Sequence, residues 1–117
     1  MSATTYDITI EKAATFTLSI IWKDSTGTLI NLTGYTAHMQ VRKSYTTSEI
    51  DLNLSTSNGA IVLGGSAGTI VVTATATLTL ALTIKAGLYD LVLTSGGGVA
   101  TRLLEGSVTI SPEITQP

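Results

Sequence analysis

Hydrophobic and polar residues alternate with a period of two over most of this chain. Tyr6, Ile8 and Ile10 alternate with Asp7, Thr9 and Glu11, and Phe16, Leu18, Ile20 and Trp22 share one parity against Thr15, Thr17 and Ser19. Successive side chains of a strand point to opposite faces, so each run predicts a strand with one buried face. Asp24-Ser25-Thr26-Gly27 follows. Its carboxylate and its glycine suit a hairpin-like reversal. Asn31-Leu32-Thr33-Gly34 marks a second break, after which Ala37, Met39 and Val41 alternate with His38, Gln40 and Arg42. The polar set of that strand is expected to face solvent or a partner.

Ile50, Leu52 and Leu54 form the next alternating run, and Ser57-Asn58-Gly59 is a turn of the Asn-Gly kind. Ile61 to Leu63 and Thr69 to Thr73 flank Gly64-Gly65-Ser66-Ala67-Gly68, which reads as two short strands joined by a glycine loop. Leu78, Leu80 and Leu82 in the segment Ala74 to Ile84 fit either a strand or a helical turn that brings Leu78 and Leu82 together. A short helix or irregular crossover near 75–83 is the expectation there. Tyr89, Leu91 and Leu93 then alternate up to the hairpin tip Ser95-Gly96-Gly97-Gly98. Val99 to Ile110 contains the apolar pair Leu103 and Leu104, which predicts a bulge or a change of facing. Pro112 and Pro117 bracket an extended tail over 111–117. The pattern is all-β: about seven to nine short antiparallel strands at turn spacings of about 8–12 residues, as in a sandwich or barrel.

Composition narrows this picture. With 117 residues the chain reads as a single β-sandwich domain over 1–117. Charged residues make up 12%, the net charge is −2, and the six Lys and Arg are scattered, only Arg42 and Lys43 being adjacent, which argues against a phosphate-tracking groove. Nucleic acid is not an expected partner. There is no cysteine, so disulfides and cysteine-ligated zinc are excluded. MSATTYDITIEK lacks the basic start and apolar core of a secretion signal, and no run approaches a membrane span. A soluble protein made in the cytosol, with no membrane partner, is expected. The mean hydropathy of +0.40 is high for such a chain, which suggests apolar surface buried between copies in a homo-oligomer.

Candidate chemistry is sparse. His38 is the one histidine and sits inside a strand pattern, with no Gly-x-Ser-x-Gly elbow to supply an exposed serine. The eight carboxylates fall in no acid–base motif, and Asp24 to Gly27 has too few oxygens for a calcium loop. The loop at 64–68 lacks the Lys-Ser/Thr ending of a phosphate loop. Asn31-Leu32-Thr33 and Asn53-Leu54-Ser55 match the glycosylation triplet, which a Thr-rich chain produces by chance. Phe16, Trp22 and Tyr89 read as core residues, and Tyr35 and Tyr45 as edge packing or partner contacts at the two ends of the His38 strand. The expectation is a non-enzymatic protein with no cofactor and no metal, whose partner-facing residues are His38, Gln40 and Arg42.

Several blocks recur together: Phe16 to Trp22, Lys23-Asp24-x-x-Gly27, Asn31-Leu32-Thr33-Gly34-Tyr35-Thr36-Ala37, Met39-Gln40-Val41-Arg42, Gly87-x-Tyr89-Asp90-Leu91, and Arg102-Leu103-Leu104-Glu105-Gly106 with Pro112-Glu113. In these the chain resembles small phage and prophage virion proteins, and more distantly the N-terminal domain of the baseplate upper protein of lactococcal-type phages. The resemblance implies an immunoglobulin-like β-sandwich built into the virion, commonly as an adaptor that anchors fibres or receptor-binding proteins to a tail or baseplate. It implies no active site. The chain departs from the baseplate upper protein in stopping near residue 117 without a fibre-forming extension, which counts against direct receptor binding. The expected partners are other virion proteins of the tail, baseplate, fibre or capsid. A capsid decoration protein is the alternative, and a carbohydrate-binding module a third reading.

Overall fold

The computed structural model describes residues 4–44, 50–82 and 84–111. Among these lie nine strands: β1 (Thr4–Thr5), β2 (Ile8–Glu11), β3 (Phe16–Ile21), β4 (Thr36–Arg42), β5 (Leu52–Ser55), β6 (Ile61–Leu63), β7 (Thr69–Ala74), β8 (Ala86–Thr94) and β9 (Ala100–Ser111). One sheet runs β9-β8-β4-β5, with β1 and β2 both lying on the far side of β9; the other runs β3-β7-β6. The two sheets form an all-β sandwich with the strand order of an immunoglobulin-like domain.

Two features depart from a set of short antiparallel strands. β8 and β9 are nine and twelve residues long, and β1 and β2 run parallel to β9, with Thr4 opposite Leu104 and Ile8 opposite Val108. No hairpin links these partners, since the chain's first strands meet its last, so nothing forces an antiparallel course. Ser111, expected to begin the tail, closes β9 opposite Glu11. The rest of that tail, 112–117, lies outside the described residues, as does Tyr45.

The core fills the space between the sheets. Met39, Val41, Leu54, Leu91, Leu93, Val108 and Ile10 come from the larger sheet and Ile70, Val72 and Ala74 from the smaller, all fully buried. Phe16, Leu18, Ile20 and Trp22 share the inward face but are only half-buried, because β3 lies at the margin of its sheet. Tyr6 leaves the buried set of the first strand: it falls between β1 and β2 and is 51% exposed.

The turns work as short polar motifs. Asp24 Oδ1 accepts from Thr26 Oγ1 (2.6 Å), Thr26 N (2.9 Å) and Thr28 N (3.0 Å). The Thr26 hydroxyl first, with the Thr28 and Thr26 amides, holds the Asp24 carboxyl below its ordinary 3.8. This reversal folds 22–30 back on itself, since Ile30 N donates to Trp22 O, but β3 and β4 then go to opposite sheets. Asn31 Oδ1 accepts from Thr33 N and Thr33 Oγ1 at the second break, and Tyr35 meets Trp22 edge-on with ring centroids 6.1 Å apart. The Asn58-Gly59 turn likewise links strands of different sheets rather than a hairpin. The glycine loop does join a hairpin, β6 to β7, through a 3-10 turn at Gly65–Ala67.

The segment left open between strand and helix is a single helical turn, α1 (Ala76–Leu80). Leu82 is buried while Leu78 is 41% exposed, so the two do not pack as a pair. The buried Thr79 hydroxyl donates to Ala14 O at 2.8 Å, pinning α1 to the β2–β3 turn. In β9, Leu104 opposes Leu91 but Arg102 opposes Val92, so Leu103 is the extra residue of the expected bulge.

The parallel docking of β1 and β2 is tight. Tyr6 N donates to Glu105 O (2.8 Å), Ser107 N to Asp7 Oδ1 (3.0 Å), and the Tyr89 hydroxyl to Tyr6 O. Gly106 makes room for this crossing, since a Cβ there would stand 2.5 Å from Tyr6 O. Gly106→Ala is therefore expected to lose about 2–3 kcal/mol of stability in a denaturant titration, as a backbone carbonyl must move. Burial pushes the Tyr89 phenol from 10.0 up to about 12, with Tyr6 and Asp7 adding to it. Between those values the folded chain keeps a proton that the unfolded chain has lost. Stability from this group is full below pH 10.0 and falls as pH rises towards about 12. Tyr89→Phe should cost about 1–2 kcal/mol at neutral pH by leaving the Tyr6 carbonyl unpaired, and should flatten the alkaline decline in melts recorded against pH.

Candidate functional site

The outward side chains of β4 lie in the middle of the larger sheet, with β5 on one side and β8 then β9 on the other. Register sets Gln40 between Asn53 and Asp90, and His38 between Ser55 and Val92. His38, Gln40 and Arg42 thus share one face, as their parity predicts, and they touch one another. Arg42 Nη2 donates to Gln40 Oε1 at 2.8 Å. His38 Nε2 stands 2.6 Å from Asn53 Oδ1, which can only accept, so Nε2 is the donor of this pair. The 3.4 Å approach of Gln40 Nε2 to that nitrogen is then a contact between two donors.

A second cluster extends the face across β8 and β9. Arg102 Nε lies 3.3 Å from Asp90 Oδ2 and its Nη1 lies 3.9 Å from Glu105 Oε2. Arg102 and Glu105 are three apart, which in a regular strand would put them on opposite faces; the extra Leu103 brings them to the same one. Such exposed pairs contribute about 0–1 kcal/mol each, so they orient side chains more than they hold the fold. Between the clusters lies a shallow open depression of about 200 Å³, lined by Gln40, Arg42, Ser44, Leu88, Asp90 and Glu105.

The groups on this face can donate and accept hydrogen bonds. Two arginines and two carboxylates balance, leaving little net field. The partners of the His38 ring are amides. Ser55, opposite it in register, turns its hydroxyl to Ser57 Oγ (3.0 Å) and to Asn58 N (3.2 Å). Among the described residues no three histidine, aspartate or glutamate side chains gather as a metal-binding group. Tyr35, a candidate contact residue by sequence, is half-buried against Trp22 and the core. Sequence reading missed Asn53, Asp90, Arg102 and Glu105 as members of the face. Strand parity marked Asn53, Asp90 and Glu105 as outward, but Arg102 shares the parity of buried Leu104 and faces outward only through the bulge, and register alone brings all four beside the β4 residues.

No family model matches the chain, and no curated protein matches it in sequence.

A combined His38→Ala, Gln40→Ala and Arg42→Ala variant is expected to keep the fold, shifting stability by about 1 kcal/mol or less, because these side chains lie on the outward face of β4 and none belongs to the buried core. Circular dichroism melts and a two-dimensional NMR spectrum of that variant provide the check.

Proposed function

We propose that the protein is a non-enzymatic structural component of a phage particle, acting by protein–protein contact as an adaptor in the tail, baseplate or fibre-attachment region. The observation that supports this most is the outer face of the larger sheet. It is broad and charge-balanced, its depression is shallow, and its side chains are already ordered by mutual hydrogen bonds. Preordered polar groups on rigid strands lose little entropy when a protein partner covers them. The resemblance of the Leu32-Thr33-Gly34-Tyr35 and Tyr89-Asp90-Leu91 blocks to phage virion proteins supplies the setting. Those blocks have structural duties here: Gly34 takes φ +83° in a turn, and Tyr89 bonds the first strand to the rest.

A second reading, a capsid decoration protein, draws on the smaller sheet. Its outward residues Thr17, Ser19, Ile21, Val62, Val71 and Thr73 carry no charge, and Ile21 and Val62 are 58% and 62% exposed. A shell protein that packs among copies of itself would use such a surface. A carbohydrate-binding module draws less support, since Tyr6 is the one exposed aromatic among the described residues.

A reconstruction of particles carrying this chain tests the reading: density at the tail or baseplate is expected, density on the capsid lattice would favour decoration, and absence from particles would reject both. In the adaptor reading, deleting 112–117 should abolish incorporation while the sandwich melts as before; undiminished incorporation would remove any docking role for that segment.

A further inference from the structure

A β-sandwich must deal with the unpaired backbone groups on its edge strands, and this one treats its edges unequally. On β5, Thr56 N donates to Ala37 O, so Leu52 and Leu54 bond towards β4 and the backbone groups of Asn53 and Ser55 face outward. Asn58 covers them: its Nδ2 donates to Asn53 O (3.0 Å) and its Oδ1 accepts from Ser55 N (3.1 Å). Along β2 and the residue before it the outward backbone groups belong to Asp7, Thr9 and Glu11, because Tyr6 and Lys12 bond to β9, and the Glu11 carboxylate stands on that edge. β6 is only three residues long. Among the described residues β3 has none of these defences. It is six residues long, its register with β7 is unbroken from Phe16 to Ile21, and it holds no charge, proline or bulge. Trp22 N donates to Gly68 O, so the even residues bond to β7 and the backbone N–H and C=O groups of Thr17, Ser19 and Ile21 point to the open side.

We propose that the β3 edge is a self-association site, where a second copy of this chain pairs β3 to β3, antiparallel, about a two-fold axis through Ser19. The strand's own sequence argues for a second copy. Inner and outer faces match across a two-fold only when opposed positions share parity. Within Phe16–Ile21 the register centred on Ser19 uses the most outward groups, setting Ser19 opposite the partner's Ser19 and Thr17 opposite the partner's Ile21. Three hydrogen-bonded residue pairs result. The same register sets Leu18 opposite the partner's Ile20 and Phe16 opposite the partner's Trp22. These inward side chains are half-buried, with no strand beyond β3 among the described residues, and a second copy would cover them. No like charges oppose each other. The two three-stranded sheets merge into one of six strands with an uncharged outer face. One strand pair falls short of the about 1,200 Å² of a standard stable interface, so the association is weak and concentration-dependent in solution. The inference stands whether or not the protein belongs to a phage particle.

Sedimentation velocity on the full chain, up to about 1 mM, tests it, since weak pairing becomes visible in that range. The wild type should shift towards a dimer with rising concentration. Ser19→Lys, which places two ammonium groups face to face at an exposed position, should weaken association at least tenfold with an unchanged melt. The double variant Thr17→Glu with Ile21→Lys sets the carboxylate introduced on one copy opposite the ammonium introduced on the other. It should still dimerise and do so more tightly at low salt. A wild type that stays monomeric throughout, a Ser19→Lys variant that dimerises as the wild type does, or a double variant that no longer associates would each overturn the proposal.

Discussion

The contact on which the rest of the structure depends joins the two ends of the chain. β1 and β2 lie parallel to β9, the Tyr89 hydroxyl reaches across to Tyr6 O, and Gly106 has no side chain where the crossing is closest. A hairpin strand is held by its turn, but a parallel partner has only ladder bonds and packing to fix it. Ile8 and Ile10 supply the packing, buried against Val108 and Ile110 on the adjacent strand. Without this docking, β9 would become an open edge of twelve residues along the larger sheet.

With that side closed, the outer face of β4, β8 and β9 is a rigid surface whose side chains are organised by register. The Leu103 bulge orients Arg102 and Glu105 together, and the Arg42–Gln40 and His38–Asn53 bonds tie β4 to itself and to β5. Both clusters stand on strands locked into the core by Met39, Val41 and Leu91. The proposed function draws on that polar face, while the smaller sheet offers an uncharged face and, among the described residues, one undefended edge.

Much of this was legible in the chain because period-two alternation is strong wherever one face is buried. The parity of Ala37, Met39 and Val41 against His38, Gln40 and Arg42 marked both the core and the outward face, and the Leu103-Leu104 pair marked the bulge. Alternation says nothing about which strands pair. The docking of β2 on β9 therefore escaped sequence reading, as did the meeting of Gln40 with Asp90 and the split of β3 and β4 between sheets. The Asn58-Gly59 turn carries a hairpin signature yet crosses between sheets, because Asn58 uses its side chain to cover the β5 edge. Tyr6 follows the strand pattern yet lies exposed, because the chain shifts at Asp7, whose carboxylate takes the Ser107 amide.

Hydrogen exchange of individual amides measures edge closure most directly. In dilute protein the account predicts slow exchange at Leu18, Ile20 and Ser55 and fast exchange at Thr17, Ser19 and Ile21. A Ser19 amide as protected as that of Leu18 in the monomer, or a freely exchanging Ser55 amide, would contradict the claim that β5 is closed and β3 open.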